Sequence, residues 1–348
     1  MGEEAGDRMG AVMKAVVQER YGSPDTVLEV REVDKPVPAD HEVLVRVRAA
    51  SVHPDVWHLV TGRPYILRPM SGGLLRPKDP IPGTDFAGEV VAAGRDVSRL
   101  EVGDEVFGES FRELQWKNGG TFAEYVATPE ETLARKPGGV SFEQAATVPT
   151  AGIIALNNLR GDRIQPGLSV LINGAAGGVG SIAVQLAKAR GAQVTGVDRT
   201  EKLELLRTLG AGHVIDYTRE DFTRNGERYD LILDVASTLS LAACKGSFTP
   251  TGIYVFIGHD HFGRGRGRVL GSLPPLLKLA ALRRFVQHLP APGTPLPSKR
   301  DSMEVLRELL ASGKLTPVVD RAFSLSEVPQ ALRYLAEGCP LGRVVVRP

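Results

Sequence analysis

Leu168-Ser169-Val170-Leu171-Ile172-Asn173-Gly174-Ala175-Ala176-Gly177-Gly178-Val179-Gly180 is the stretch on which the fold turns. Leu168 to Ile172 is a short apolar run of strand length. A glycine-rich turn follows. Then Val179, Ile182, Ala183, Leu186 and Ala187 fall at i, i+3, i+4, i+7 and i+8, one face of a helix that ends at Gly191. The acidic Asp198 closes the next strand about 20 residues on, the context in which G-x-G-x-x-G binds a dinucleotide. Glycine lets backbone N–H groups approach a pyrophosphate, and the helix N-terminus adds partial positive charge. The first position of the pattern is Ala175, with Gly177 and Gly180 as the others, so an alanine stands at the tight turn. The alternative is a strand-to-helix turn that holds no ligand.

Downstream, strands alternate with helices, which predicts a parallel sheet covered on both faces. Gln193–Val197, Val214–Asp216, Leu231–Leu233 and Ile253–Ile257 read as strands, and Thr200–Leu209 as a helix closed by Gly210. This is a doubly wound nucleotide fold spanning 138–296. Upstream, Met13 to about Arg135 shows short strands and turns with no long helical period. Val43, Val45 and Val47 alternate there with Leu44, Arg46 and Arg48, the mark of an all-β lobe over 13–137. Residues 1–12 read as a loose tail. Residues 261–297 break the rhythm with Arg264, Arg266 and Arg268, an apolar stretch from Leu270 to Leu282 and a proline-rich exit. That segment reads as a helix on the sheet edge, a lid, a dimer surface or an interfacial membrane contact. Asp301 and Glu304 then have capping-box spacing before a helix, and Val344–Val346 forms a last strand.

At 348 residues, two domains are the expectation. A formal net charge of +1 gives no global field to draw nucleic acid or an anionic membrane, which favours a small, locally recognised ligand. No apolar stretch is long and unbroken enough to span a bilayer, and the N-terminus lacks the pattern of a secretory signal. Cys244 and Cys339 fit no zinc or redox spacing, so reduced thiols in a cytoplasmic protein are expected.

The glycine turn, Gly119-Gly120-Thr121-Phe122-Ala123-Glu124-Tyr125-Val126, Ile81-Pro82-Gly83-Thr84-Asp85-Phe86-Ala87-Gly88 and Gly342-Arg343-Val344-Val345-Val346 together resemble the medium-chain dehydrogenase/reductase superfamily, in its zinc-free quinone oxidoreductase branch. The resemblance covers nearly everything after Met13. It implies an α/β protein with a GroES-like β-rich catalytic domain, a Rossmann domain, a segment 297–348 that returns to the catalytic lobe, a cleft between the lobes, and a homodimer. It places Thr150, the glycine turn, Asp234, Val235, Ile257, Gly258 and Arg343 among the cofactor contacts, and leaves the contact at Ile154, often Thr in the family, in doubt.

Zinc enzymes of that superfamily hold the catalytic ion with two Cys and one His. Here His53, the pair Thr84 and Asp85, and Thr150 stand near those positions, so a Cys and His site is unavailable. Without a Lewis acid, oxidising an unactivated alcohol is hard. Hydride reduction of a quinone or enone needs only hydrogen-bond donors for the developing oxyanion. Tyr65 or His53 is the expected donor, with Asp55 orienting the histidine. At the adenosine end Asp198 favours NADH, whereas Arg199, Lys202 and Tyr217 suit the 2′-phosphate of NADPH, so both forms stay open. The expected function is NAD(P)H-dependent, zinc-free reduction of a quinone or α,β-unsaturated carbonyl. The alternatives are an alcohol dehydrogenase and a cofactor-binding protein without turnover.

Overall fold

The computed structural model describes residues 11–110, 117–160, 163–258, 269–290 and 296–348. The N-terminal lobe opens with β1 (Val12–Gln18), α1 (Pro24–Val27) and β2 (Leu28–Asp34), and β1 pairs antiparallel with β2. Next comes β3 (Glu42–Val52), on which Val43, Val45 and Val47 point inward while Arg46 and Arg48 face solvent, as a period of two requires. The lobe continues with α2 (Pro54–Thr61), β4 (Asp85–Ala93), β5 (Glu105–Glu109), β6 (Tyr125–Pro129) and β7 (Leu133–Arg135).

The second lobe follows, with α3 (Phe142–Ala146), α4 (Pro149–Asn158), β8 (Ser169–Asn173), α5 (Gly178–Ala189), β9 (Gln193–Asp198), α6 (Leu203–Leu209), β10 (His213–Asp216), β11 (Tyr229–Asp234) and β12 (Phe248–Phe256). Its five strands run parallel in the order β10-β9-β8-β11-β12. Strand order reverses at β8, so the crevice beyond its carboxyl end is where such a sheet takes a ligand. The core beneath is aliphatic, with Val170, Ile172, Ile182, Leu186 and Leu231 all buried.

The chain then forms α7 (Leu273–Leu282), α8 (Lys299–Ala311), β13 (Val319–Ser324), α9 (Val328–Ala336) and β14 (Arg343–Arg347). β14 pairs antiparallel with β3, matching Val344 to Val52, and β13 pairs parallel with β14. The resulting seven-stranded sheet runs β13-β14-β3-β4-β5-β7, with β6 also on β3.

Four readings from the sequence change. Val12 belongs to β1, and Ala11 accepts from the Lys35 amide, so the chain is tied down before residue 13; residues 1–10 lie outside the described residues. The β-lobe contains α2, started by Pro54 at its first turn and ended at Gly62 in the left-handed region. α8 begins at Lys299 rather than after Asp301, and its cap is Ser298, whose Oγ accepts from the Asp301 amide at 3.1 Å. Met303, Leu306 and Leu310 of α8 join the core of the nucleotide lobe, so the segment after 297 serves both lobes. Arg264, Arg266 and Arg268 lie outside the described residues. Beyond them α7 packs Leu279 and Leu282 toward β12 and leaves Leu276 and Leu277 exposed.

Candidate active site

Gly174 carries the left-handed backbone of the turn (φ +80°), so the alanine at 175 takes no strained conformation and the glycine one residue earlier makes the bend. A β-carbon at Gly180 would fall 2.2 Å from the Gly174 carbonyl, which is why α5 can sit directly on the turn. Gly177 is the N-cap of α5 and no side chain caps the helix, so its first-turn N–H groups are left for a ligand. Ala175 and Ala176 are buried behind the turn, and the Ala176 amide is committed to Asp198 Oδ2 at 3.0 Å.

The turn opens onto a cleft between the lobes of about 210 Å³. His53 and Asp55 come from the start of α2, Thr150 and Ile154 from α4, Gly177, Gly178 and Val179 from the turn, and Arg343 from β14. Asp198 and Lys202 line it after β9, and Val235 after β11. Burial lowers the pKa of the Lys202 ammonium, while Asp198 opposes that shift. Both Asp198 oxygens accept backbone N–H groups, from Ala176 and Arg199, which fixes the carboxylate's direction. Arg199 and Tyr217 lie just outside this lining: the Arg199 side chain lies against Gly338, and Tyr217 is half exposed with its amide on the Asp198 carbonyl.

At the opposite end, His53 Nε2 lies 2.8 Å from Thr84 Oγ1, and Nδ1 lies 3.8 Å from Asp55 Oδ2. Both His53 and Asp55 are almost wholly buried. Behind them Asp85 accepts from the Thr150 amide at 3.0 Å and approaches Thr150 Oγ1 at 2.5 Å. Thr150 Oγ1 also reaches Glu109 Oε1 at 2.7 Å, and Glu109 pairs with Lys299. Burial pushes both acids above the usual carboxylate range, and the neighbouring Asp85 adds to the shift at Glu109; Arg343 opposes the shift at Asp85 and Lys299 that at Glu109. Arg343 is buried and donates to Ser51 Oγ at 2.9 Å; burial lowers its pKa, and Asp85 and Asp55 oppose that shift.

Several expected site residues stand elsewhere. Tyr65 is 42% exposed beneath the Arg68 guanidinium and does not line the cleft. The Asp234 carboxyl turns away from it, accepting from Asn173, the Ser237 amide and Tyr254 OH, because a buried carboxyl needs those donors. Ile257 packs on the core of the nucleotide lobe, and Gly258 gives its amide to Ser237 Oγ; neither lines the cleft. Ser51, Glu109 and Lys299 were not singled out from the sequence. The one signal for Glu109 is an acid ending the apolar run Val106-Phe107-Gly108. Among the described residues no group of three or more His, Cys, Asp or Glu side chains is disposed to hold a metal ion.

A sequence model for an alcohol dehydrogenase GroES-like domain matches residues 39–138, and one described as a zinc-binding dehydrogenase matches 209–346. A chloroplastic quinone oxidoreductase of Triphysaria versicolor is 32% identical over 352 residues, covering 97% of this chain and 99% of its own. The chain belongs to the medium-chain dehydrogenase/reductase superfamily. Within this superfamily its likeness is to the quinone oxidoreductase branch. An Arabidopsis thaliana chloroplastic NADPH-dependent alkenal/one oxidoreductase is 33% identical over 97% of this chain and 80% of its own. The solved quinone oxidoreductase of Coxiella burnetii superposes with a TM-score of 0.80 at 28% identity, covering 97% of this chain and all of the other. This superfamily member is an NAD(P)H-dependent oxidoreductase. Its residues fit the cofactor: an uncapped helix start and the glycines Gly174, Gly177 and Gly178 face the cleft, with Arg343 beneath them, as a pyrophosphate requires.

Proposed function

We propose that this protein reduces quinones or α,β-unsaturated carbonyls by hydride transfer, without a metal ion. The observation that carries the reading is the placement of a buried His53, backed by Asp55, in the same cleft as the glycine turn. The names of the relatives, quinone and alkenal/one oxidoreductases, support the substrate class. The residues near the zinc-ligand positions also bond to one another: His53 to Thr84, and Asp85 to Thr150.

Bound NAD(P)H supplies the hydride. Gly177 and the first turn of α5 hold the pyrophosphate, and Arg343 offsets its charge. Asp198 and Lys202 face the adenosine ribose, where a 2′-hydroxyl suits the carboxylate and a 2′-phosphate suits the ammonium. Val235 and Ile154 give the nicotinamide half an apolar wall. As electrons reach the substrate, negative charge grows on its oxygen, and His53 gives that oxygen a proton, with Asp55 orienting the ring.

This reading includes a cytoplasmic homodimer. Two free thiols, Cys244 buried and Cys339 exposed, support the compartment; the superfamily likeness supports the pairing.

The test is titration of the purified protein with NADPH and NADH, followed by absorbance at the reduced-nicotinamide band after adding a quinone or an enone. Oxidation of bound cofactor by either acceptor is the expected result. Tight binding with no oxidation across a broad panel would replace the reductase with a cofactor-binding protein.

A further inference from the structure

His53 uses its two nitrogens in opposite directions. Nδ1 lies toward Asp55, while Nε2 points back into the protein, to Thr84 Oγ1 at 2.8 Å. Thr84 Oγ1 lies 3.1 Å from Asp85 Oδ1, Asp85 Oδ1 lies 2.5 Å from Thr150 Oγ1, and Thr150 Oγ1 lies 2.7 Å from Glu109 Oε1. Glu109 Oε2 pairs with Lys299, whose side chain is 18% exposed while that of Glu109 is 1% exposed. Hydroxyls and carboxyls thus connect His53 in the cleft to the partly exposed Lys299 without a break.

The proton count at Thr150 is informative. A threonine hydroxyl has one hydrogen, and here two carboxyl oxygens stand within hydrogen-bond reach of it. It donates to one and accepts from the other only if that acid carries a proton. For Thr150 to donate to Asp85, Glu109 must carry a proton, and for Asp85 to donate in turn to Thr84, Asp85 must carry one as well; burial, which raises the pKa of both acids, favours that state.

We propose that Thr84, Asp85, Thr150, Glu109 and Lys299 form a proton relay that protonates His53 Nε2 as Nδ1 gives up its proton during reduction. The proposal rests on the reductase reading. The substrate oxyanion takes the Nδ1 proton of His53 as Nε2 takes the Thr84 hydroxyl proton. Thr84 takes one from Asp85, Asp85 from Thr150, Thr150 from Glu109, Glu109 from the Lys299 ammonium, and Lys299 from water. When the product has left, Nδ1 takes a proton from water in the cleft and the path runs back, which returns His53 to its starting tautomer. At each link one O–H or N–H bond breaks as the next forms, and no electrons change hands. The charged groups facing the path are Asp55 and Asp85 at His53, Arg343 at Asp85, and Lys299 at Glu109.

Thr150→Val removes the central hydroxyl and keeps the shape. It is expected to lower kcat at least about tenfold and to raise the solvent deuterium isotope effect, since one general-acid step contributes 10²–10⁴. Thr150→Ser is expected to restore turnover, which a purely structural role would not predict. A second readout needs no turnover: the His53 titration midpoint, followed by NMR in cofactor-free protein, is expected to shift in Thr150→Val and in Lys299→Met. Wild-type kcat and isotope effect in Thr150→Val, or one His53 midpoint in all three proteins, would overturn the relay. If the wild-type protein reduces no acceptor, the reductase reading fails separately, and an unshifted midpoint then removes the relay as well.

Discussion

Arg343 occupies the space that a side chain at Gly178 would need: a β-carbon there would fall 1.7 Å from Arg343 Nη1. The guanidinium is fixed by Ser51 Oγ on one side and stands beneath the first turn of α5 on the other. Gly178→Ala should push it out of line and raise cofactor Kd at least about tenfold, some 1.4 kcal/mol. Calorimetric titration measures this, and affinity equal to wild type would remove Arg343 from the pyrophosphate site.

The adenosine end makes a prediction about preference rather than rate. Asp198 and Lys202 line the cleft together with opposite charges. Asp198→Ala should raise the affinity ratio of NADPH to NADH by about tenfold, and Lys202→Met should lower it, because a 2′-phosphate is repelled by one group and attracted by the other. If the two variants move the ratio in the same direction, the ribose lies elsewhere.

Of the two candidate donors, the structure brings only His53 into the cleft. His53→Ala should cost about 10²-fold or more in kcat/KM for the best acceptor. Tyr65→Phe should stay near wild type, since its ring stacks with Arg68 outside the lining. Steady-state kinetics of both variants decide the point, and a large loss in Tyr65→Phe would mean that the loop closes over the substrate.

Burial raises the pKa of Asp85, so the folded protein favours its neutral acid. For a carboxyl raised in this way, the stability it contributes is complete below the ordinary carboxylate range and is lost as pH rises through the raised value. Asp85→Asn mimics the acid at every pH. The Tm of Asp85→Asn minus that of wild type should therefore increase as pH rises above the ordinary carboxylate range. A flat or falling difference in calorimetric scans would show that folding does not raise the pKa of Asp85.

Tyr254→Phe removes a donor from the buried Asp234 carboxyl, bonded at 2.7 Å. The expected cost is about 1–3 kcal/mol of stability in denaturant unfolding with cofactor affinity unchanged. Lost affinity at full stability would return Asp234 to the cofactor site.

Legibility from the sequence followed the range of the interactions. The strand, turn and helix around Gly177 are adjacent in the chain, so periodicity and glycine spacing reported them together. α2 was hidden because Pro54 masks its start and because its inward face carries Asp55 and His58 as well as Val56 and Leu59. Asp234 sat at the right strand end, but the direction of its carboxyl depends on Tyr254, twenty residues away and one strand over. Glu109, Thr150 and Lys299 meet across three separate elements, and no local pattern announces such a meeting.

The pairing of β14 with β3 bears on how the molecule is made. Ser51 and Arg343, which touch in the finished protein, are 292 residues apart in sequence. On the ribosome the edge of β3 at Ala50, Ser51 and Val52 stays bare while the whole nucleotide lobe is synthesised, an interval of about 15–60 s at 5–20 residues per second. An uncovered edge recruits strands from other chains. The nascent protein therefore passes through a period when a neighbour's strand can take the place reserved for its own, and the arrival of β14 closes that period and completes the catalytic cleft in one event.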